Sequence, residues 1–400
     1  MFLSFLHNKI PHLVCWGLFL LCPFTFFFPR CAPVFLAAFA LLALLQKGGG
    51  LLLEIKKSSV FLWIFIFIFW AGLSSVWSLN PKESIVLFTR LFLIFTAGFC
   101  CHRLIQNTAE RDIHGFLKYL IAGFFMTIGL LALNLWKDYW QTLVNKTTAQ
   151  AFVPLGLTLT LLCWPLLSWL HLRFSKRHVG AAFVLTFCIL FSVDCDTAPL
   201  ALACGLGTMG LFWVWPQGVK KMMYVITTLA ILTTPFFVKQ YVDQPFITAV
   251  NQKIKSHSYI HRLYIMKAVS SHISNKWFLG HGLDSSRHPL FGKIQPLEII
   301  GKNGSYISHC KEIPTHPHNA TLQWWLELGG IGAFLACLVN IFILRSMPNT
   351  RTFPCLCLVG LYTSSQVIAL INLGFWQNWW LAILMLAASL CLRLTNFGKN

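Results

Sequence analysis

Residues 315–332 read Thr315-His316-Pro317-His318-Asn319-Ala320-Thr321-Leu322-Gln323-Trp324-Trp325-Leu326-Glu327-Leu328-Gly329-Gly330-Ile331-Gly332. The stretch closes the longest polar segment of the chain and passes straight into an apolar run. Pro317 disfavours helix for the residue before it, so a helix is expected to begin at about His318, with Asn319 free to cap or orient. Two histidines therefore stand where a polar loop meets an apolar span.

Outward from this point the chain is apolar nearly throughout. Of 400 residues, 56% are hydrophobic and 11% charged, against roughly 25% charged in soluble domains. Apolar runs near 20 residues, the length that crosses about 30 Å of hydrocarbon, recur from end to end. The reading is an all-α polytopic membrane protein with about twelve spans, near 12–28, 32–46, 59–77, 84–101, 115–135, 151–170, 179–193, 197–215, 221–238, 318–344, 353–371 and 376–393. The first span is read as retained, since Pro23, Pro29 and Pro33 break a signal-peptide pattern.

Charge sets the expected orientation. With the N-terminus inside, the inner loops hold Lys9, Lys47, Lys56, Lys57, Arg103, Arg111, Arg173, Lys176, Arg177, Lys220, Lys221, Arg345, Arg351, Arg393 and Lys399. The short outer loops hold only Arg30, Lys82, Lys137 and Lys146. The positive-inside rule then puts both termini in the cytoplasm and the polar segment 239–317 outside. The chain divides into spans one to nine (1–238), one large extracytoplasmic loop (239–317) and spans ten to twelve (318–400). The net charge of +19 is explained by topology and anionic lipid heads, so no nucleic acid is expected as a partner. Most cysteines lie in apolar runs and only Cys310 falls in the loop, so no disulfide framework is implied.

The loop is where a site has room. It holds His257, His261, His272, His281, His288, His309 and His316, with His318 at its edge. From Ser256 to Phe278, apolar residues at Ile260, Leu263, Tyr264, Ile265, Ala268, Val269 and Ile273 fall near a 3.6 period. This predicts an amphipathic helix lying on the bilayer or capping the bundle, ended by Gly280-His281-Gly282. The tract from Ser285 to Pro314, with Pro289 and Pro296, reads as irregular.

Several groups suit chemistry. His316 or His318 is a candidate general base, because histidine titrates near working pH. Other loop histidines could add metal ligands, but no ligand spacing fixes a site, and neither metal nor cofactor is expected. Arg262, in Ser258-Tyr259-Ile260-His261-Arg262, offers a planar permanent cation for phosphate, with Lys253 and Lys255 just before it. Arg90 lies within the fourth span, where a charge is costly and usually functional or paired; it is a candidate second anion contact. Asp194 and Asp196 fall in an outer turn, where Asp196 or Thr197 caps the next helix or Asp196 holds an acceptor sugar. Asn319 is a second candidate acceptor contact. Acidic residues are read as lacking within the spans, which argues against a cation transporter.

With these residues placed, the chain resembles the O-antigen ligase family, part of the lipid-linked polysaccharide ligase and polymerase superfamily. Arg262 followed by Trp277-Phe278-Leu279-Gly280-His281-Gly282 is similar to the family pattern R…PLxGxG. HPHNATLQWWLELGGIG is similar to HNxxLxxxxExGxxG. The specific part covers about 180–345. The resemblance implies a glycosyltransferase on the outer face of a bacterial inner membrane, moving an O-antigen glycan from undecaprenyl diphosphate to a lipid A–core sugar. It implies no metal or nucleotide, His318 as the base, and Arg262 and, in an early span, Arg90 on the diphosphate. Where the family carries a Ser-Arg-Gly-like element this chain has Asp194-Cys195-Asp196-Thr197-Ala198-Pro199, so either Lys253, Lys255 or Arg90 replaces that arginine or the donor is held differently. Two other enzymes use the same lipid-linked donor: an O-antigen polymerase and a protein oligosaccharyltransferase. A lipid-linked oligosaccharide transporter is the non-enzymatic rival.

Overall fold

The computed structural model describes residues 2–47, 50–141, 153–193, 195–254, 256–301, 304–372 and 374–397. It is mostly helical. The helices are α1 (Phe2–Phe27), α2 (Ala32–Lys47), α3 (Gly50–Leu53), α4 (Ser59–Leu73), α5 (Pro81–Asn107), α6 (Glu110–Gln141), α7 (Val153–Arg173), α8 (Lys176–Phe191), α9 (Thr197–Val214), α10 (Pro216–Tyr241), α11 (Gln244–Ile254), α12 (His257–Asn275), α13 (Ala320–Ser346), α14 (Phe353–Ile371) and α15 (Asn378–Leu394). Between α12 and α13 lies one antiparallel hairpin, β1 (Ile294–Gly301) and β2 (Gly304–Lys311), pairing Ile294 with Lys311 through to Gly301 with Gly304.

Each expected span coincides with a helix. Among the described residues nine helices are long and apolar enough to cross a bilayer: α1, α4 with the helical turn that continues it to Trp77, α5, α6, α7, α9, α10, α13 and α14. The other three are shorter. Ala32–Gln46 and Asn378–Leu394 are apolar, and the 16 residues of α8 rise only about 24 Å. The protein is a multi-pass membrane protein.

Helix α7 occupies the centre. It is apolar on every side, which marks a fully enclosed helix, and each residue from Leu155 to Leu170 is buried. Around it α1 packs on α6, α2 on α5, α9 on α14, and α10 and α4 on α13, while α15 lies against α5 and α7. Val225, Ile226, Leu229, Phe236 and Phe237 of α10 are exposed and form an outward apolar face suited to lipid.

Two expectations for the loop are corrected. The tract 285–314 is not irregular throughout, because it holds the β1–β2 hairpin. The architecture is therefore not purely α. The alternation that builds a strand is masked in sequence by Pro296 and by polar residues, since a hairpin outside the bundle needs only one apolar face. Leu297 and Ile299 supply that face, packing with Val238, Val242, Ile247, Ile260 and Cys310 in a small second core. The helix expected over 256–278 ends at Asn275. It caps the bundle: Ile265, Val269 and Ile273 join the main core, and Ile260 joins the second.

Candidate active site

The residues after α12 leave the helix to do something else. Trp277–Leu283 runs beside a break in α13. Gly329 inside α13 has φ 66° and ψ −166°, so the helix there loses its own hydrogen bonds, which other groups must satisfy. The His281 N–H donates to Leu326 O (2.8 Å) and the Gly282 N–H to Glu327 O (2.8 Å), while the Gly330 N–H donates to Trp277 O (2.7 Å). The contact is between backbones and leaves no room for side chains. A Cβ on Gly329 would lie 2.2 Å from Phe278 O, and one on Gly280 (φ +70°) 2.5 Å from Glu327 O. The glycines shared by the two motifs thus belong to one joint. Ser78 and Ser84, before and in α5, close it from the other side by donating to Leu283 O.

This joint places Asp284, Ser286 and Arg287 beside the start of α13. Arg287 Nε donates to Asp284 Oδ1 at 3.2 Å, and Ser286 Oγ donates to Thr315 O at 3.3 Å. Burial raises the Asp284 carboxyl above the ordinary range; Arg287 and Arg90 pull it down and Glu83 pushes it up. Arg90, exposed on α5, thus acts on the same carboxyl group as Arg287.

His316 and His318 lie together, ring centres 4.3 Å apart. His318 has φ 54°, a left-handed conformation costing on the order of 1–3 kcal/mol in a residue with a side chain. Its neighbours hold it there. The Asn319 side chain caps α13, accepting from the Leu322 N–H (2.9 Å), and its amide donates to Leu370 O (3.1 Å). His318 Nδ1 is 2.8 Å from Asn372 O. A carbonyl only accepts, so Nδ1 carries the proton and Nε2 keeps its lone pair. That is the tautomer a general base needs, with a third group orienting it. His316 Nδ1 meets the Thr315 hydroxyl at 2.8 Å, a partner that can donate or accept and so fixes no tautomer.

Burial lowers His318 below the ordinary histidine value, and the charges of Arg262 and His261 lower it further, against the Asn372 hydrogen bond that raises it. Burial pushes His316 down to about 3, helped by His318 and Arg287. Both rings are therefore neutral at pH 7. A base with a lowered pKa stays competent as pH falls, until it is protonated. The acid limb of the kcat/KM profile is thus expected below about 6.5, the free-histidine value. A limb at or above 6.5 for the native protein would rule out His318 in this setting.

The remaining expected residues are placed as follows. Arg262 is half-buried on α12, its charge acting on His318. One turn earlier, Tyr259 donates to Asp196 Oδ2 at 3.5 Å, which puts Asp196 at the rim on the Arg262 side. Asn319 is spent on the cap and on Leu370, so it serves His318 rather than facing outward. Lys255 lies outside the described residues. The other loop histidines disperse: His257 meets Ser308, His261 meets Lys311 O, His272 faces Glu312, and His281 donates to His272 O. Among the described residues no group of three or more His, Cys, Asp or Glu side chains is placed to hold a metal ion.

Two residues beside the candidate site, Arg287 and Asp284, escaped the sequence reading, and Glu327 entered it only as the glutamate of the HNxxLxxxxExGxxG pattern. Asp284 and Arg287 lie two and five positions after Gly282, but nothing in their spacing shows that the loop returns to the histidines. Glu327 is a carboxylate inside an apolar span, itself a signal, and it corrects the expectation that acidic residues are lacking there. It is fully buried.

Residues 181–337 match the family model described as O-Antigen ligase, a segment that holds α12, the hairpin, both histidines and the α13 break. A protein named "Putative polysaccharide ligase" from Rickettsia conorii is 26% identical over 329 residues, covering 79% of this chain and 75% of that protein. Relatives with the same description from Rickettsia typhi and Rickettsia prowazekii are 27% and 25% identical, each covering 79% of this chain and 76% of the relative. No solved structure matches the chain. Over residues 181–337 the chain is thus similar to the O-antigen ligase family, and over most of its length to proteins named as polysaccharide ligases.

Proposed function

We propose that the protein is an O-antigen ligase: a glycosyltransferase that moves a glycan from undecaprenyl diphosphate to a hydroxyl of the lipid A–core. It would work on the periplasmic face of a bacterial inner membrane, with both termini in the cytoplasm. The observation that carries this reading is His318. Its Nδ1–H is committed to Asn372 O, its Nε2 is free to take a proton, and Arg262 and Arg287 act on the two histidines.

The chemistry needs few parts. His318 Nε2 removes the proton of the acceptor hydroxyl as its oxygen attacks the anomeric carbon. The bond to the diphosphate breaks on the opposite side, so one displacement inverts that carbon. Undecaprenyl diphosphate leaves with the bonding electrons, and cations in place before the reaction stabilise the charge it gains. Arg262, Arg287 and Arg90 supply them. The scissile bond provides the driving force, so no nucleotide is consumed. Tyr259 and Asp196 at the rim suit the acceptor sugar, and the outward apolar helices suit the polyprenyl tail.

The test is transfer by the purified protein in detergent, with an undecaprenyl-diphosphate glycan, lipid A–core and EDTA. Glycan should appear on the lipid A–core. Arg262→Ala and Arg287→Ala should each raise the donor KM about 10-fold to 100-fold, the value of a charge-assisted hydrogen bond of roughly 1.5–3 kcal/mol. Arg262→Lys should restore only part, because a point charge lacks the planar fork. Longer carrier-linked chains without lipid A–core product would mean a polymerase. Glycan on an added acceptor protein would mean an oligosaccharyltransferase. Glycolipid crossing reconstituted vesicles without transfer would mean a transporter.

A further inference from the structure

We infer that Glu327 is a positioning residue that sets the base and the anion-binding arginine in register with each other. The inference rests on the transferase reading, in which His318 is the base and Arg287 binds the leaving group. Glu327 touches neither. It lies two turns into α13, fully buried, and joins the two loop segments that do.

Its carboxyl group is met by donors on both oxygens. Oε2 accepts from the Asp284 N–H (3.0 Å) and from Trp376 Nε1 (2.7 Å), and Oε1 accepts from Gln323 Nε2 (3.1 Å). The amide oxygen of Gln323 in turn accepts from the Phe375 N–H at 2.8 Å. One branch therefore runs from Glu327 through the Asp284 backbone to Arg287, whose Nε is held by the Asp284 carboxylate. Asp284 has φ 60°, a strained conformation that persists only where its surroundings fix it. The hydrogen bond to Glu327 is one such constraint.

The other branch runs through Trp376 and Phe375 to the turn after α14. That turn carries both contacts on the histidines. Asn372 O takes the His318 Nδ1–H, and Gly374 lies so close that a Cβ there would be 2.8 Å from His316 Cγ. A single side chain thus links the arginine loop and the histidine turn, which are otherwise more than 80 residues apart in the chain.

A glutamine at this position keeps the shape and loses the pattern. Its amide turns two N–H groups toward one side. On the Oε2 side they face the Asp284 and Trp376 donors. On the Oε1 side they face Gln323, whose own flip would turn an N–H onto Phe375. The first orientation releases both branches, and the second only the Phe375 arm of the histidine branch.

The experiment compares the native protein, Glu327→Gln and Trp376→Phe in the transfer assay, with rates scaled to folded protein. In parallel, the His318 Nδ1–H signal is followed in nitrogen-labelled histidine, assigned by its absence in His318→Gln. Glu327→Gln should lower kcat on the order of 100-fold, the usual cost of a small misplacement of reacting groups, and lose the hydrogen-bonded Nδ1–H signal, with the donor KM raised about 10-fold where the amide faces Asp284. Trp376→Phe removes a donor of the histidine branch alone, so it should lower kcat and leave the donor KM unchanged. The inference is overturned if Glu327→Gln keeps native kcat, KM and the His318 signal, or if it only lowers the amount of folded protein. If the native protein transfers no glycan but Glu327→Gln still loses the His318 signal, the transferase reading fails and the positioning stands.

Discussion

Replacing His318 with glycine is expected to lower kcat for glycan transfer by about 100-fold to 10,000-fold, the range a positioned general base contributes, while leaving the protein almost as stable as before. Two effects on the fold oppose each other. The substitution removes the Nδ1 hydrogen bond to Asn372 O, worth about 1 kcal/mol net. It also relieves the left-handed backbone at φ 54°, a gain of about the same size or somewhat larger. His318→Ala loses the hydrogen bond without relieving the backbone, so it should be the less stable of the two by about 1 kcal/mol and equally inactive. Thermal unfolding in detergent beside the transfer assay separates these outcomes. Transfer within threefold of native in the glycine variant would falsify the base assignment. A glycine variant much less stable than the alanine variant would mean that the backbone at 318 is not strained.

The second large effect concerns the joint at the break in α13. Gly280→Ala should destabilise the protein by on the order of 3 kcal/mol. Its Cβ would lie 2.5 Å from both Glu327 O and the Gly329 nitrogen, in a backbone at φ +70°, and overpacking against backbone and a left-handed conformation each cost about 1–3 kcal/mol. The neighbours cannot give way cheaply, since the groups in the way are themselves hydrogen-bonded. Activity should fall as well, because the same segment leads into Asp284 and Arg287. Gly207→Ala is the control: it sits in α9 with nothing within 4 Å of its added methyl, where alanine is the better helix former. The measurement is the unfolding midpoint of each variant. Equal midpoints for Gly280→Ala and Gly207→Ala would show that the joint is loose.

The chain itself determined the positions of its helices. Hydropathy is a local property, and a run of apolar side chains such as Leu155–Leu170 has only one low-energy backbone in hydrocarbon, with every N–H and C=O bonded within the segment. The sequence also exposed the part of the candidate site that lies at a boundary. His316, His318 and Asn319 stand where a polar loop becomes an apolar span, and Arg262 stands on a helix of legible period. Tertiary structure decided the rest. The partner that fixes the His318 tautomer is a backbone carbonyl, Asn372 O, and a carbonyl has no signature in sequence. Arg287 and Asp284 reach the site because backbone groups freed at Gly329 are satisfied by Trp277–Gly282, a pairing of two irregular segments that no periodicity records. The hairpin over 294–311 escaped for a related reason, since its one apolar face covers a core built from α10, α11 and α12. Local side-chain pattern reports what a segment buries against its immediate surroundings. Which distant backbone groups complete each other's hydrogen bonds is settled only when the segments meet.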